Sequence, residues 1–183
     1  MKRYAEYKDS GIEWIGSAPI EWSICTLKRV VNLKTDKVDF IGQNYMGLEN
    51  VESHTGRYVK SGSQEVEGLS TSFQRGDVLF GKLRPYLAKC IIPEFSGICS
   101  SEFLVLRNFN VARKYLQYFL LSSQLIEAIN ASTYGAKMPL ANWSYIGQMQ
   151  IPVPPTPVQQ SIVAYLDRKT AAIDTLIADK QKL

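Results

Sequence analysis

In the last quarter of the chain, apolar residues recur at Ile162, Leu166, Ile173, Leu176 and Leu183, and Lys169 and Lys180 fill the remaining places of a 4, 3, 4, 3, 4, 3 spacing. That is a heptad seam, and it predicts one helix over 157–183, about 26 residues and on the order of 39 Å long at 1.5 Å per residue. Three start signals agree on where it begins: Thr156 as N-cap, Pro157 at the first helical position, and Gln159 placed to complete a capping box. The prolines at 152, 154 and 155 fix φ ahead of it, which predicts a stiff extended tether over 152–156. A seam of this kind seeks a second helix. The same pattern also fits a helix folded back on its own domain, but a helix of that sort has no use for a stiff spacer.

Upstream the periodicities are shorter. Leu27, Val30 and Val31 follow Thr26 at helical spacing and predict a short helix. Strand-like runs appear at 45–51, 77–83, 87–92, 102–106 and 149–153, separated by Gly, Ser and Pro. Between 112 and 131, Tyr115, Leu116, Phe119, Leu120, Leu125, Ile126 and Ile129 form a helical pattern with a break at Ser122 and Ser123. Residues 4–24, with Gly11, Gly16 and Pro19, read as an irregular arm anchored by Trp14 and Trp22. The predicted architecture is α+β: a compact mixed-sheet domain over 1–151, the tether, and a long coiled-coil-type helix over 157–183.

Composition narrows the class. With 183 residues and 45% apolar content the chain can bury a core as one domain. A formal net charge of +4 permits an anionic partner without demanding one. Cysteines 25, 90 and 99 form no CxxC pair and leave an odd thiol, which predicts a reduced, intracellular protein. The charged opening MKRYAEYKDSGIEW lacks the apolar run of a signal peptide, and nowhere do 18 apolar residues follow one another, so the expected location is the cytoplasm, without a membrane span.

Catalytic constellations are hard to find. The single histidine, His54, lies in the turn-like ESHTG and reads as exposed loop, and three scattered cysteines with one histidine do not make a zinc set. Gly76, Gly81 and Lys82 match GxxxxGK, but Leu83 stands where a Mg²⁺-binding hydroxyl is required, DVLF reads as strand, and Pro85 interrupts the helix that should bind phosphate. A Gly-rich dinucleotide fingerprint is missing too. The expectation is a non-enzyme with no catalytic residue, metal or cofactor of its own; a nucleotide-dependent enzyme would rest on Gly76 to Lys82 alone.

What remains is basic and polar. Arg75, Lys82, Arg84 and Lys89 stand against Asp77, a local charge of +3, and the Pro85 turn should expose Arg84 beside Tyr86, a pairing suited to phosphate and base contacts. Ordinary solvated lysines on a strand edge fit the same residues. A second loop, 134–143, is shaped by Gly135 and Pro139 and carries Lys137, Met138 and Asn142. Lys and Asn can read base edges, and a loop Asn can equally cap local backbone. Residues 36–74, rich in Gly, Ser, Asn and Gln, read as loop and are further candidates for discriminating contacts.

Several separated blocks in one order carry a resemblance: the opening YKDSGIEWIGSAPIEW at 7–22, YMGLENV at 45–51, FGKLRPYLAKC at 80–90, ICSSEF at 98–103 and IPVPPTPVQQSIVAYLD at 151–167. Together they resemble a specificity subunit of a Type I restriction-modification enzyme over nearly the whole chain. The resemblance implies an α/β target-recognition domain that reads one half of a split sequence in double-stranded DNA, followed by a helix that packs antiparallel on a second such helix as a ruler. It implies partners as well: methyltransferase subunits that carry S-adenosylmethionine and modify adenine, and a restriction subunit that uses ATP and Mg²⁺. On this reading Lys82, Arg84, Tyr86, Lys89, Lys137, Met138 and Asn142 face DNA, and Ile162, Leu166, Ile173, Leu176 and Leu183 face a second copy or another half subunit. A full-length family member has two recognition domains and two helices, and this sequence has one of each; two copies paired by a two-fold axis would read a palindromic split target. The alternative within the same frame is an adaptor that bridges methyltransferase subunits without reading DNA.

Overall fold

The computed structural model describes residues 4, 6–38, 44–60, 70–133 and 138–182. Its centre is the antiparallel pair β8 (Val78–Gly81) and β11 (Phe103–Arg107), with β4 (Asn32–Lys34) and β9 (Cys90–Ile91) on the flanks in the order β4-β11-β8-β9. An unbroken apolar run such as VLF suits a strand covered on both sides, and Val78, Leu79 and Phe80 are all fully buried. The pleat divides them. Val78, Phe80, Leu104 and Leu106 enter the larger core on the helical side, while Leu79, Phe103 and Val105 enter a smaller core on the other side.

A second sheet closes the smaller core. It comprises β5 (Lys37–Val38), β7 (Ser70–Phe73), β10 (Gly97–Cys99) and β6 (Tyr45–Met46), in the order β5-β7-β10-β6, antiparallel except for the parallel β6 and β10. Met46, Phe73 and Cys99 from this sheet join Leu79, Ile91 and Val105. On the helical side lie α1 (Leu27–Val30), α2 (Arg113–Leu120), α3 (Ser123–Ala131), α4 (Trp143–Ile146) and a ribbon of β3 (Ser23–Thr26) with β12 (Gln150–Val153). The fold is therefore α+β in three layers, helices on sheet on sheet, with a long C-terminal helix, in agreement with the sequence.

The expected break between α2 and α3 falls at Ser122, whose hydroxyl donates to the Phe119 carbonyl at 2.7 Å and so competes with helix continuation. Two elements differ from expectation. Residues 7–19 of the arm form a hairpin of β1 (Tyr7–Asp9) and β2 (Ser17–Pro19) rather than irregular chain. Its turn carries Trp14, whose ring centroid is 5.9 Å from that of Phe119, so the aromatic anchoring does hold. The 45–51 run is strand only at Tyr45–Met46 and then turns through a 3₁₀ turn at Leu48–Asn50, in which the Asn50 side-chain oxygen accepts from the Gly47 N–H at 2.8 Å.

The terminal helix, α5 (Thr156–Gln181), has the expected 26 residues but a different start. Pro155 occupies the cap position and no side chain caps the first turn. Gln159 is 3% exposed and turns inward: its Oε1 accepts from the Ala112 N–H at 2.7 Å and its Nε2 donates to the Pro154 carbonyl at 2.8 Å. The capping box is thus replaced by a bolt between helix and domain. The tether is also shorter than expected, because Pro152 and Val153 are the end of β12, paired with Ile24 and Ser23. Tyr115 donates to the Pro152 carbonyl at 2.6 Å, which fastens that end to the core. A two-stranded ribbon tolerates the proline because no further strand needs its missing N–H.

Candidate nucleic-acid interface

β8 delivers Lys82 to its C-terminal edge, and there the chain meets the 138–142 segment. Leu83 and Leu140 form an antiparallel bridge, the Arg84 N–H donates to the Pro139 carbonyl at 2.8 Å, and the Ala141 N–H donates to the Lys82 carbonyl at 2.9 Å. Two segments more than fifty residues apart in sequence, the basic turn at 82–84 and the 138–142 segment, are thereby joined through backbone.

The turn itself is unusual. Arg84 (φ 49, ψ 63) and Ala88 (φ 46, ψ 54) are both left-handed and bracket the 3₁₀ turn Pro85–Leu87. For residues other than glycine this conformation costs about 1–2 kcal/mol each, so the surroundings must enforce it. Pro85 is buried and Ala88 is 1% exposed, which pins both ends inward and leaves Arg84 and Tyr86 outside, Tyr86 being 46% exposed. Met138, at the start of the joined segment, is 56% exposed. The local surface therefore offers a guanidinium, an aromatic ring and a thioether on neighbouring backbone.

Other predicted residues have different places. The Lys89 ammonium donates to the Leu48 carbonyl at 2.6 Å and ties β9 to the 3₁₀ turn. Asn142 caps α4: its Oδ1 accepts from the Ser144 N–H at 3.0 Å. Lys82 is half-buried. Lys137 and Leu183 lie outside the described residues. Arg75 lies seven residues before Lys82, beyond the opposite end of β8, whose four residues span about 13 Å of strand. Asp77 does not offset the basic turn either, because it is buried beside Arg107, which donates through Nε at 2.9 Å and through Nη2 at 2.5 Å. Those hydrogen bonds raise the Arg107 pKa. The +3 run of the sequence is thus two separate features.

The structure also accounts for the near-match to a phosphate loop. Its spacer is the buried strand β8, and a Cβ at Gly81 would lie 2.9 Å from the Leu48 side chain, so close packing explains that glycine. His54 is exposed in a turn. The three thiols are unpaired, and burial pushes the Cys99 thiol up to about 12, which keeps it protonated and a poor nucleophile. Among the described residues no group of His, Cys, Asp and Glu could hold a metal ion, and no helix is long and apolar enough to cross a membrane.

The seam on α5 divides in two. Ile162 and Val163 are half-buried against the larger core, Tyr118 donates to the Asp167 carboxylate at 2.6 Å, and Arg57 pairs with Asp174, so one face of the helix lies along its own domain. Ile173 (55%), Leu176 (63%) and Ile177 (52%) remain exposed, and Leu166 is half-buried. Ile162 is therefore taken by its own domain, and Ile177 joins the free stripe although the strict heptad does not select it.

The described residues thus form a three-layer α+β head carried on a long helix, with a bracketed basic turn beyond the C-terminal end of β8. Residues 19–183 match the family model of the Type I restriction modification DNA specificity domain, and the chain belongs to that family. It is 25% identical over 168 residues to the Type I restriction enzyme EcoDI specificity subunit of Escherichia coli, a match that covers 87% of this chain and 37% of that protein. Among solved structures it is similar to the HsdS subunit from Thermoanaerobacter tengcongensis, with TM-score 0.72 and 21% identity over 90% of this chain and 46% of that one. A chain solved in work on complex assembly and conformational transition of the type I R-M system gives TM-score 0.73 at 24% identity, with the same coverage of 90% and 46%. The chain spans less than half the length of each of these relatives.

Proposed function

We propose that this chain reads one half of a bipartite DNA target for a Type I restriction-modification complex and performs no chemistry itself. The observation that carries the proposal is the backbone coupling of 82–84 to 139–141, which brings the basic turn and the segment carrying Met138 into one presenting edge. On this reading Lys82 and Arg84 meet phosphates, and Tyr86 and Met138 offer surface to bases. Lys89 and Asn142 shape the edge from behind by holding the Leu48 carbonyl and the start of α4. Methyltransferase subunits with S-adenosylmethionine, and a restriction subunit with ATP and Mg²⁺, are the partners the reading implies, in the cytoplasm.

Pairing through α5 completes the proposal. The stripe Leu166, Ile173, Leu176 and Ile177 receives a second helix, from another copy or another half subunit. Ile173→Asp with Leu176→Asp charges that stripe at two exposed positions and should turn a dimer into a folded monomer in sedimentation velocity. A double variant that stays dimeric refutes the pairing surface. The adaptor reading has support of its own, since Lys89 and Asn142 are both committed to local hydrogen bonds. A salt series on duplex binding by this chain without the methyltransferase separates the two, because a reader that neutralises phosphates loses affinity steeply as salt rises and an adaptor shows no such binding to lose.

A further inference from the structure

The helix α5 is fastened to its head at three levels. Gln159 is the inner bolt. Eight residues on, Asp167 accepts from the Tyr118 hydroxyl at 2.6 Å and lies 4.0 Å from the Lys114 ammonium. Seven residues further, Asp174 pairs with Arg57, a contact that spans 117 positions of sequence. These spacings keep the three residues on one side of the helix, and Asp174 lies about 22 Å along the axis from Gln159.

Arg57 comes from a loop that the fold holds rigidly. Gly56 is left-handed (φ +69), and a Cβ there would lie 2.3 Å from the Cys90 carbonyl oxygen and 2.6 Å from the Gln117 side chain, so the loop sits directly on β9 and α2. Gln117 itself donates to the Cys90 carbonyl at 3.0 Å. The Glu52 N–H donates to the Arg57 carbonyl at 2.9 Å, and the His54 N–H to the Ala88 carbonyl at 3.0 Å. Ala88 is the inner end of the bracketed turn described above. One loop thus connects the candidate DNA edge to the outer half of the helix.

We propose that the Arg57–Asp174 pair is a positioning pair that sets the angle between the recognition head and α5, and so, on the function proposed above, the spacing at which two heads meet DNA. The lever arm makes a modest contact consequential: a 3 Å lift at Asp174, about 22 Å from the inner bolt, tilts the helix by roughly 8°. Both side chains are substantially exposed, at 53% and 39%, so the angle is also sensitive to salt.

The test uses the full chain with Cys25→Ser and nitroxide labels on Glu94→Cys and Lys180→Cys; Cys90 and Cys99 are buried and stay unlabelled. Pulsed EPR should give a narrow distance distribution that broadens severalfold in Arg57→Gln and in Asp174→Asn, is retained in Arg57→Lys, and broadens for the parent chain in 0.5 M NaCl. Unchanged distributions in both neutral variants overturn the proposal, as does equal broadening by Arg57→Lys and Arg57→Gln. In the methyltransferase complex, Arg57→Gln should then relax the preference for spacer length between half-sites. If the labels respond but neither parent nor variant complex selects any spacer, the fastening stands and the DNA-reading function fails.

Discussion

Replacing Gln159 with leucine keeps the volume and removes both hydrogen bonds that bolt α5 to the domain. The Ala112 N–H and the Pro154 carbonyl lose their side-chain partner together. An unsatisfied buried group costs about 1–3 kcal/mol, so the pair costs about 2–6, and the apolar surface leucine buries offsets about 1–2 of that. The expected net loss lies within about 0–5 kcal/mol and centres on about 2.5, equivalent at the centre to a fall in Tm of roughly 5–10 °C for a domain of this size. Urea titration followed by tryptophan fluorescence should show a lower midpoint with an unchanged slope, since the surface exposed on unfolding is the same. Hydrogen exchange supplies the residue-level check, because the Ala112 amide should lose its protection while amides in β8 and β11 lose only what global stability loses. A variant within about 0.5 kcal/mol of the parent, with the Ala112 amide still protected, would refute the bolt and return Gln159 to an ordinary helix residue.

Gly56→Ala should cost at least about 2 kcal/mol more than Gly11→Ala in the same titration. Both glycines are left-handed, but only at Gly56 does the added Cβ meet backbone, at 2.3 Å, while Gly11 has nothing within 4 Å. Equal costs would show that the loop carrying Arg57 is not held as described. Alkaline destabilisation has a definite sign at Cys99: its folded pKa is about 12 against the ordinary 9.0, so the unfolded chain releases its proton first. The stabilising effect is complete below pH 9.0 and is lost as pH rises towards 12, about 4 kcal/mol over that window. Tyr115 and Cys90, both raised by burial, act in the same direction. Urea midpoints from pH 8 to pH 11 should fall less steeply in Cys99→Ala, and parallel curves would contradict the assignment.

What the sequence discloses about this fold follows from where the deciding contacts lie. The length of α5 is legible because neither glycine nor proline interrupts it, and the break between α2 and α3 because Ser122 competes locally for its own turn. β8 and β11 are legible as unbroken apolar runs. The two-residue strand β5 leaves no such trace, since a partner distant in sequence holds it, and β6 and β9 are only short parts of the runs at 45–51 and 87–92. Gln159 illustrates the same limit at one residue: a Thr with Gln three positions later reads as a capping box, yet the Gln meets Ala112, 47 positions away. The strict heptad selects Leu176 and passes over Ile177, whereas the 3.6-residue turn places Ile177 one turn beyond Ile173.

The candidate interface shows the division as plainly. Arg84 beside Tyr86 and the 138–142 loop are each visible as turn chemistry, but their union rests on hydrogen bonds that no local pattern encodes. Summing charges along 75–89 misleads for the converse reason, because an extended strand separates Arg75 from Lys82 and a distant arginine neutralises Asp77. Lys89 looks like its neighbours in sequence and is occupied by the Leu48 carbonyl in the fold.

The separation of Arg84 from Arg75 supplies the most direct test of DNA reading at the joined edge. Duplex affinity of the methyltransferase complex, measured across a salt series, should lose about one unit of its log–log slope on Arg84→Ala and almost none on Arg75→Ala. Equal slopes for the parent and both variants, or a loss confined to Arg75→Ala, would contradict the assignment of that edge to DNA.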